Sequence, residues 1–179
     1  MEASDSSGAL VVTLPKEYPL VILSCCIITS LCYFIGMIGV AVARSRAFTD
    51  EFMAGFKQEH ADAVSGEPAR LGYPDCGEGR YAKKLEYGSW VSYCNAQRVH
   101  NNFVEGLPLT LTVLLVGGLF LPVITTIVGF VVAGARLVYT IMYLTTGSNA
   151  RKIGSILGNL PLYLLMLTNF VYGIVKVCQ

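Results

Sequence analysis

Arg98, Asn102 and Glu105 lie in the stretch QRVHNNFVEGLP, residues 97–108. On a helix their spacing of i, i+4 and i+7 places them on one face. A guanidinium grips carboxylates through two parallel hydrogen bonds, a carboxylate holds an ammonium, and an amide donates and accepts. The stretch runs directly into LTLTVLLVGGLFL, which is nearly pure hydrocarbon. The three residues therefore form a polar stripe on a membrane span. Charges at membrane depth face a protein interior or a wet cavity and mark function.

A second set follows in ARLVYTIMYL, where Arg136, Tyr139 and Tyr143 stand at i, i+3 and i+7. Arg44 and Arg46 close the first apolar run, and Arg151 and Lys152 open the last. Together these groups suit an anionic or zwitterionic small molecule. The same residues admit a plainer reading. Arg98 and Glu105 would neutralise each other or partners on other helices, the tyrosines would sit at the membrane interface, and the terminal arginines would only set topology. His100 lies about 200° round the helix from Arg98 and reads as a buried or interfacial histidine with its hydrogen bonds satisfied. His60 reads as a solvated loop histidine.

These side chains need an apolar scaffold, and the composition supplies one. Of 179 residues, 54% are hydrophobic and 14% charged, against roughly 25% charged in soluble domains. The chain is expected to be an all-α, integral membrane four-helix bundle. The net charge of +1, with no Lys/Arg-rich run, points away from nucleic acid. The six cysteines form no CxxC pair and no Cys/His cluster, so no metal site is expected. They read as small, buried apolar residues in a reducing setting.

Residues 1–17 read as a tail without the basic start of a cleaved signal peptide, and residues 18–179 as a single four-span unit. The first span begins at Tyr18 and carries no charge as far as Ala43. Residues 47–88 form an extended polar loop, with a short helix near Thr49–Ala63. The second span runs from Gly88–Val91 to Phe120. A tight turn near 118–122 is placed on Gly117, Gly118 and Pro122. The third span runs from Pro122 to Leu144 and the fourth from Ile153 to Val175, interrupted by Asn159 and Pro161. About 20 apolar residues cross a bilayer as a helix, and these runs are too long for barrel strands. Lys and Arg concentrate in the loops 47–88 and 145–152, which places both loops on the cytosolic or equivalent side.

At LPKEYPLVIL, VARSRAF, QRVHNNFVEGLP, ARLVYTIMYLTTG and RKIGS the chain resembles the MAPEG family, the membrane-associated proteins of eicosanoid and glutathione metabolism. Within that family the likeness is strongest to the type three microsomal glutathione transferases. The resemblance implies a homotrimer in the endoplasmic-reticulum or a mitochondrial membrane, with glutathione bound as co-substrate between subunits. It implies transfer of glutathione to lipophilic acceptors, or reduction of lipid hydroperoxides. Arg98, His100, Asn102 and Glu105 match the family's glutathione-binding positions on the second span. Arg136, Tyr139 and Tyr143 match those on the third. Arg46, with Arg44 as a rival, matches an arginine at the end of the first span. Arg151, with Lys152 as a rival, matches the catalytic arginine that stabilises the thiolate. Two departures stand out: Gly106 replaces a bulkier residue, and the 47–88 loop is extended.

Two further functions compete with a transferase or peroxidase. One is an inert accessory subunit or lipid-binding scaffold of a larger membrane complex. The other is a transporter, disfavoured because the chain has no internal repeat.

Overall fold

A computed structural model describes residues 13–178; residues 1–12 of the expected tail lie outside the described residues. The first span is built from α1 (Tyr18–Phe34), a π-helical segment (Ile35–Val40) and α2 (Ala41–Ala47). Two short helices follow, α3 (Asp50–Ala54) and α4 (Lys57–Val64). The remaining spans are α5 (Tyr87–Phe120), α6 (Pro122–Thr146) and α7 (Arg151–Val177). Four helical stretches are long and apolar enough to cross a membrane: Tyr18–Ala47, Tyr87–Phe120, Pro122–Thr146 and Ser148–Val177.

One helix face of each span is buried against its neighbours. Val21, Cys25, Ile28 and Cys32 form the inward stripe of α1, at i, i+4, i+7 and i+11. They meet Phe103, Val113 and Leu114 of α5, Val132 and Ala133 of α6, and Leu162 and Leu165 of α7. The outward faces carry exposed Ile22, Leu23, Phe34, Ile127, Phe130, Leu164 and Phe170, as hydrocarbon solvent requires. Asn169 of α7 donates from Nδ2 to the Val113 carbonyl of α5 at 2.9 Å and ties the two helices.

The turn between the second and third spans is tighter than the glycines suggest. Leu121 alone separates α5 from α6. Gly117 and Gly118 are helical, and they serve packing rather than turning. A Cβ on Gly117 would meet Thr125 Oγ1 at 2.9 Å, and one on Gly118 would meet Tyr18 and Val21 at 2.9 Å. Asn159 and Pro161 do not interrupt the last span either; α7 runs unbroken through both. A proline removes one backbone donor, which a helix packed on neighbours tolerates. Of the six cysteines, only Cys25 and Cys32 are fully buried, and all six are free thiols.

The 47–88 loop is an ordered cap with its own small core. Thr49 Oγ1 accepts from the Phe52 N–H at 3.2 Å and caps α3. The expected single helix is two, broken at Gly55–Phe56. Phe48, Met53, Ala82 and Tyr93 are buried together. The Phe48 and Tyr93 rings meet edge to face at 5.0 Å, and Phe56 meets Tyr81 at 4.9 Å. At the centre is Asp75. Its Oδ1 accepts from Gly77 N at 2.8 Å and Gly79 N at 2.9 Å, and its Oδ2 accepts from Ala82 N at 2.8 Å. Its carbonyl accepts from Arg44 Nη2 at 2.7 Å and from the Tyr93 hydroxyl at 2.9 Å. Arg44 also donates to the Leu71 carbonyl at 3.1 Å and stacks on Tyr73 at 4.1 Å.

Burial alone would raise the Asp75 carboxyl, but the backbone N–H groups of Ala82, Gly77, Gly79 and Tyr81 outweigh it and hold the carboxyl below its usual range. A carboxyl depressed in the folded state adds stability at neutral pH, which is lost as pH falls from about 4 through the folded value. Asp75→Ala leaves the Gly77, Gly79 and Ala82 backbone donors unpaired and is expected to destabilise the cap by about 2–4 kcal/mol. Limited proteolysis within residues 47–88 should accelerate in the variant at neutral pH, and in the parent protein only on acidification.

Candidate functional site

The polar stripe of α5 forms as its spacing requires, and its members divide. Arg98 Nη1 lies 3.5 Å from Glu105 Oε1, and both side chains are more than half exposed, at 55% and 59%. Asn102 turns inward instead. Its Oδ1 accepts from Arg136 Nη1 of α6 at 2.9 Å. The Arg136 guanidinium also lies over the Phe103 ring at 5.0 Å. Gly106 makes this approach possible, because a Cβ there would stand 2.7 Å from Arg136 Nη2. The departure at Gly106 is thus the space that the α6 arginine occupies. A cavity of about 230 Å³ opens beside it, lined by Asn102, Glu105, Gly106, Arg136, Asn159 and Tyr163 among others.

The two tyrosines of α6 are buried, with ring centroids 5.6 Å apart. They pack with Val99 of α5 and Ile35 of the π-helical segment. Gly154 lets α7 close on α6 here, since a Cβ would lie 2.5 Å from the Tyr139 backbone nitrogen. The Arg151 guanidinium sits 6.0 Å from the Tyr143 ring, a contact that Lys152 does not make among the described residues. The charges of Arg151, Arg136 and Arg98 all act on the Tyr139 hydroxyl. Arg98, Asn102, Arg136, Tyr139, Tyr143 and Arg151 therefore converge on one region, and Glu105 borders it through Arg98.

His100 and Arg46 stand apart. His100 points away from Arg98 towards the first span, and a Cβ on Gly36 would collide with its imidazole. Its Nδ1 is buried with no hydrogen-bond partner among the described residues, so the ring is not the satisfied histidine expected. Gly36, which admits the ring, lies in the π-helical segment; such wide turns favour functional sites. Packing sets Arg44 and Arg46 apart. Arg44 is 3% exposed and committed to the cap. Arg46 is exposed and lines a separate cavity of about 570 Å³ with Glu86, Ser89, Ser92 and Asn95.

The residues that sequence reasoning missed are the glycine notches at Gly36 and Gly154 and the Arg44–Asp75 lock. Small residues that let membrane helices approach closely were the available signal for the first two. The MAPEG family model matches residues 22–171. No curated protein matches the chain.

The notch at Gly36 is open to test. Alanine in place of a helical glycine normally adds up to about 1 kcal/mol. At Gly39, where an added Cβ meets nothing within 4 Å, Gly39→Ala should leave the melting temperature in detergent unchanged or raised. At Gly36 the same substitution should lower it, because the His100 ring must move.

Proposed function

The chain belongs to the MAPEG family, and on that premise we propose that it is a glutathione-dependent membrane transferase or peroxidase acting on lipophilic electrophiles or lipid hydroperoxides. The observation that carries the reading is the gathering of Arg98, Arg136, Arg151 and Tyr143 around Tyr139, with Asn102 bonded to Arg136. In this reading Arg98, Asn102 and Glu105 hold the carboxylates and ammonium of glutathione, with Arg46 and His100 as outlying contacts. The resemblance within the family to type three microsomal transferases belongs to the same proposal.

Arg151 is the choice for the catalytic arginine, supported by its place over Tyr143. A thiol with a pKa of about 8.5 is mostly protonated at neutral pH, and an adjacent guanidinium favours the thiolate. In conjugation the thiolate forms a C–S bond with the electrophile, and the leaving group departs or takes a proton from water. In peroxide reduction it attacks the outer oxygen: the S–O bond forms, the O–O bond breaks, and the alkoxide gains a proton. A second glutathione then converts the sulfenic acid to a disulfide and water. The bilayer delivers the lipophilic acceptor.

A homotrimer is part of the proposal. The outward, more than half-exposed Arg98–Glu105 pair supports it, since a charged pair on a span's outer face calls for cover by a neighbouring subunit. An endoplasmic-reticulum or mitochondrial membrane, with the two basic loops on its cytosolic side, completes the reading. The ordered cap favours a second one, an inert accessory subunit or lipid-binding scaffold. A cleft of about 400 Å³ in the cap, between Phe56, Val64 and Tyr81, would then receive a partner.

Titration of the purified chain with glutathione, read as ultraviolet thiolate absorbance, separates the two. The enzyme reading expects thiolate to form at neutral pH. Arg98→Ala should weaken glutathione binding by about 10- to 100-fold. Arg151→Ala should leave binding and abolish the thiolate signal. Absence of glutathione binding in the parent protein sinks the enzyme reading.

A further inference from the structure

The cap holds a second cleft, apart from the region around Tyr139. It is about 430 Å³ in volume and lies where the chain enters α5. Glu78, Lys83, Leu85, Tyr87 and Trp90 line it, and Gly77 and Ala82 complete it. A chain of hydrogen bonds fixes its wall. Asp75 Oδ1 accepts from the Gly77 N–H at 2.8 Å, and the Gly77 carbonyl accepts from Trp90 Nε1 at 2.9 Å. Gly77 has a φ of +110°, and a Cβ there would stand 2.9 Å from Cys94 Sγ, so glycine suits this link. The indole is thereby held in place while 36% exposed, and Tyr87 is 75% exposed.

Tyr87 and Trp90 stand at i and i+3 on α5, with ring centroids 5.9 Å apart. Two rings this close can both hold one cation within the roughly 6 Å at which ring faces attract it. Charges of both signs face the same cleft. Among the described residues neither Glu78 nor Lys83 forms an ion pair, with the other or with a third group. Lys84 and Glu86 follow in sequence, one of each sign, and do not line it. An unpaired acid, an unpaired base and two exposed rings suit a zwitterion whose positive end is a methylated ammonium. An anionic group alone would be repelled by Glu78.

The depth of the cleft points to the source of that zwitterion. At about 1.5 Å per residue, Trp90 lies about 45 Å along α5 from Phe120. A bilayer with its headgroups is about 40–45 Å thick, so Tyr87 and Trp90 stand at the headgroup level of the cap side. We propose that the cleft binds the choline phosphodiester headgroup of a membrane phospholipid. Tyr87 and Trp90 receive the trimethylammonium, Glu78 offsets its charge, and Lys83 pairs with the phosphate. The cap is thereby seated on the bilayer surface beside α5. The proposal is independent of the transferase or peroxidase reading.

Trp90 is the single tryptophan of the chain, so intrinsic fluorescence reports on this cleft. The full chain in a maltoside detergent is titrated with dihexanoyl phospholipids below their micellar concentrations. The phosphatidylcholine is expected to shift Trp90 emission at concentrations at least ~10-fold lower than the phosphatidylethanolamine or the phosphatidylglycerol. Tyr87→Ala and Glu78→Gln, both at exposed positions, should each reduce the phosphatidylcholine to the level of the other two. Soluble phosphocholine should give the same emission change only at ~10-fold or higher concentrations than the lipid. Equal responses to the three lipids, a stronger response to phosphatidylglycerol, or a full preference retained in either variant overturns the proposal. Phosphocholine as potent as the lipid overturns it too, since the ligand is then a free headgroup. So does a trimethyllysine peptide that binds more tightly than the phosphatidylcholine, because the partner is then a protein.

Discussion

Two arginines and one carboxylate lie at membrane depth in a bundle that hydrocarbon surrounds. That imbalance constrains the arrangement of the other polar groups. Water is absent at this depth, so each charge must find a partner, a ring face or a cavity. Arg98 takes Glu105 on the outer face of α5. Arg136 takes Asn102 and the Phe103 ring on the inner face. The helix period puts Arg98, Asn102 and Glu105 on one face, and the neighbouring helix divides them: Asn102 reaches Arg136 of α6, while Arg98 and Glu105 pair with each other.

Glycines decide where these groups come to rest. Gly106 yields its volume to Arg136, Gly36 to His100, and Gly154 to the backbone around Tyr139. Each notch joins a different pair of elements, so the polar region is assembled by close approach of helices rather than by long side chains reaching across gaps. Membrane helices gain little from burying apolar surface against one another, and close packing at small residues replaces that force. The same economy gives α6 and α7 their extended contact through Gly154 and Gly158.

The cap follows a different logic. It lies outside the spans and is stabilised like a small soluble core. Asp75 gathers three backbone donors, and Arg44 clamps the Asp75 and Leu71 carbonyls to the end of the first span. One arginine of the VARSRAF stretch is thereby consumed in holding the cap, which leaves Arg46 as the exposed one.

Four spans, their approximate limits and the shared face of Arg98, Asn102 and Glu105 were all legible in the sequence, because hydrophobic runs and helical spacing are local properties. The matched family region, residues 22–171, was legible too, through QRVHNNFVEGLP and ARLVYTIMYL. Gly117, Gly118 and Pro161 misled, because glycine and proline break helices in water but serve packing, or are tolerated, between membrane helices. The inward turn of Asn102, the placing of His100 against Gly36, and the choice of Arg44 over Arg46 for the cap depend on which helix lies opposite. Asp75 gave no local signal at all, since its partners lie in the turns that follow it and on two spans. Spacing along one helix determined which side chains share a face, and only the packing of helices against one another decided what each face meets.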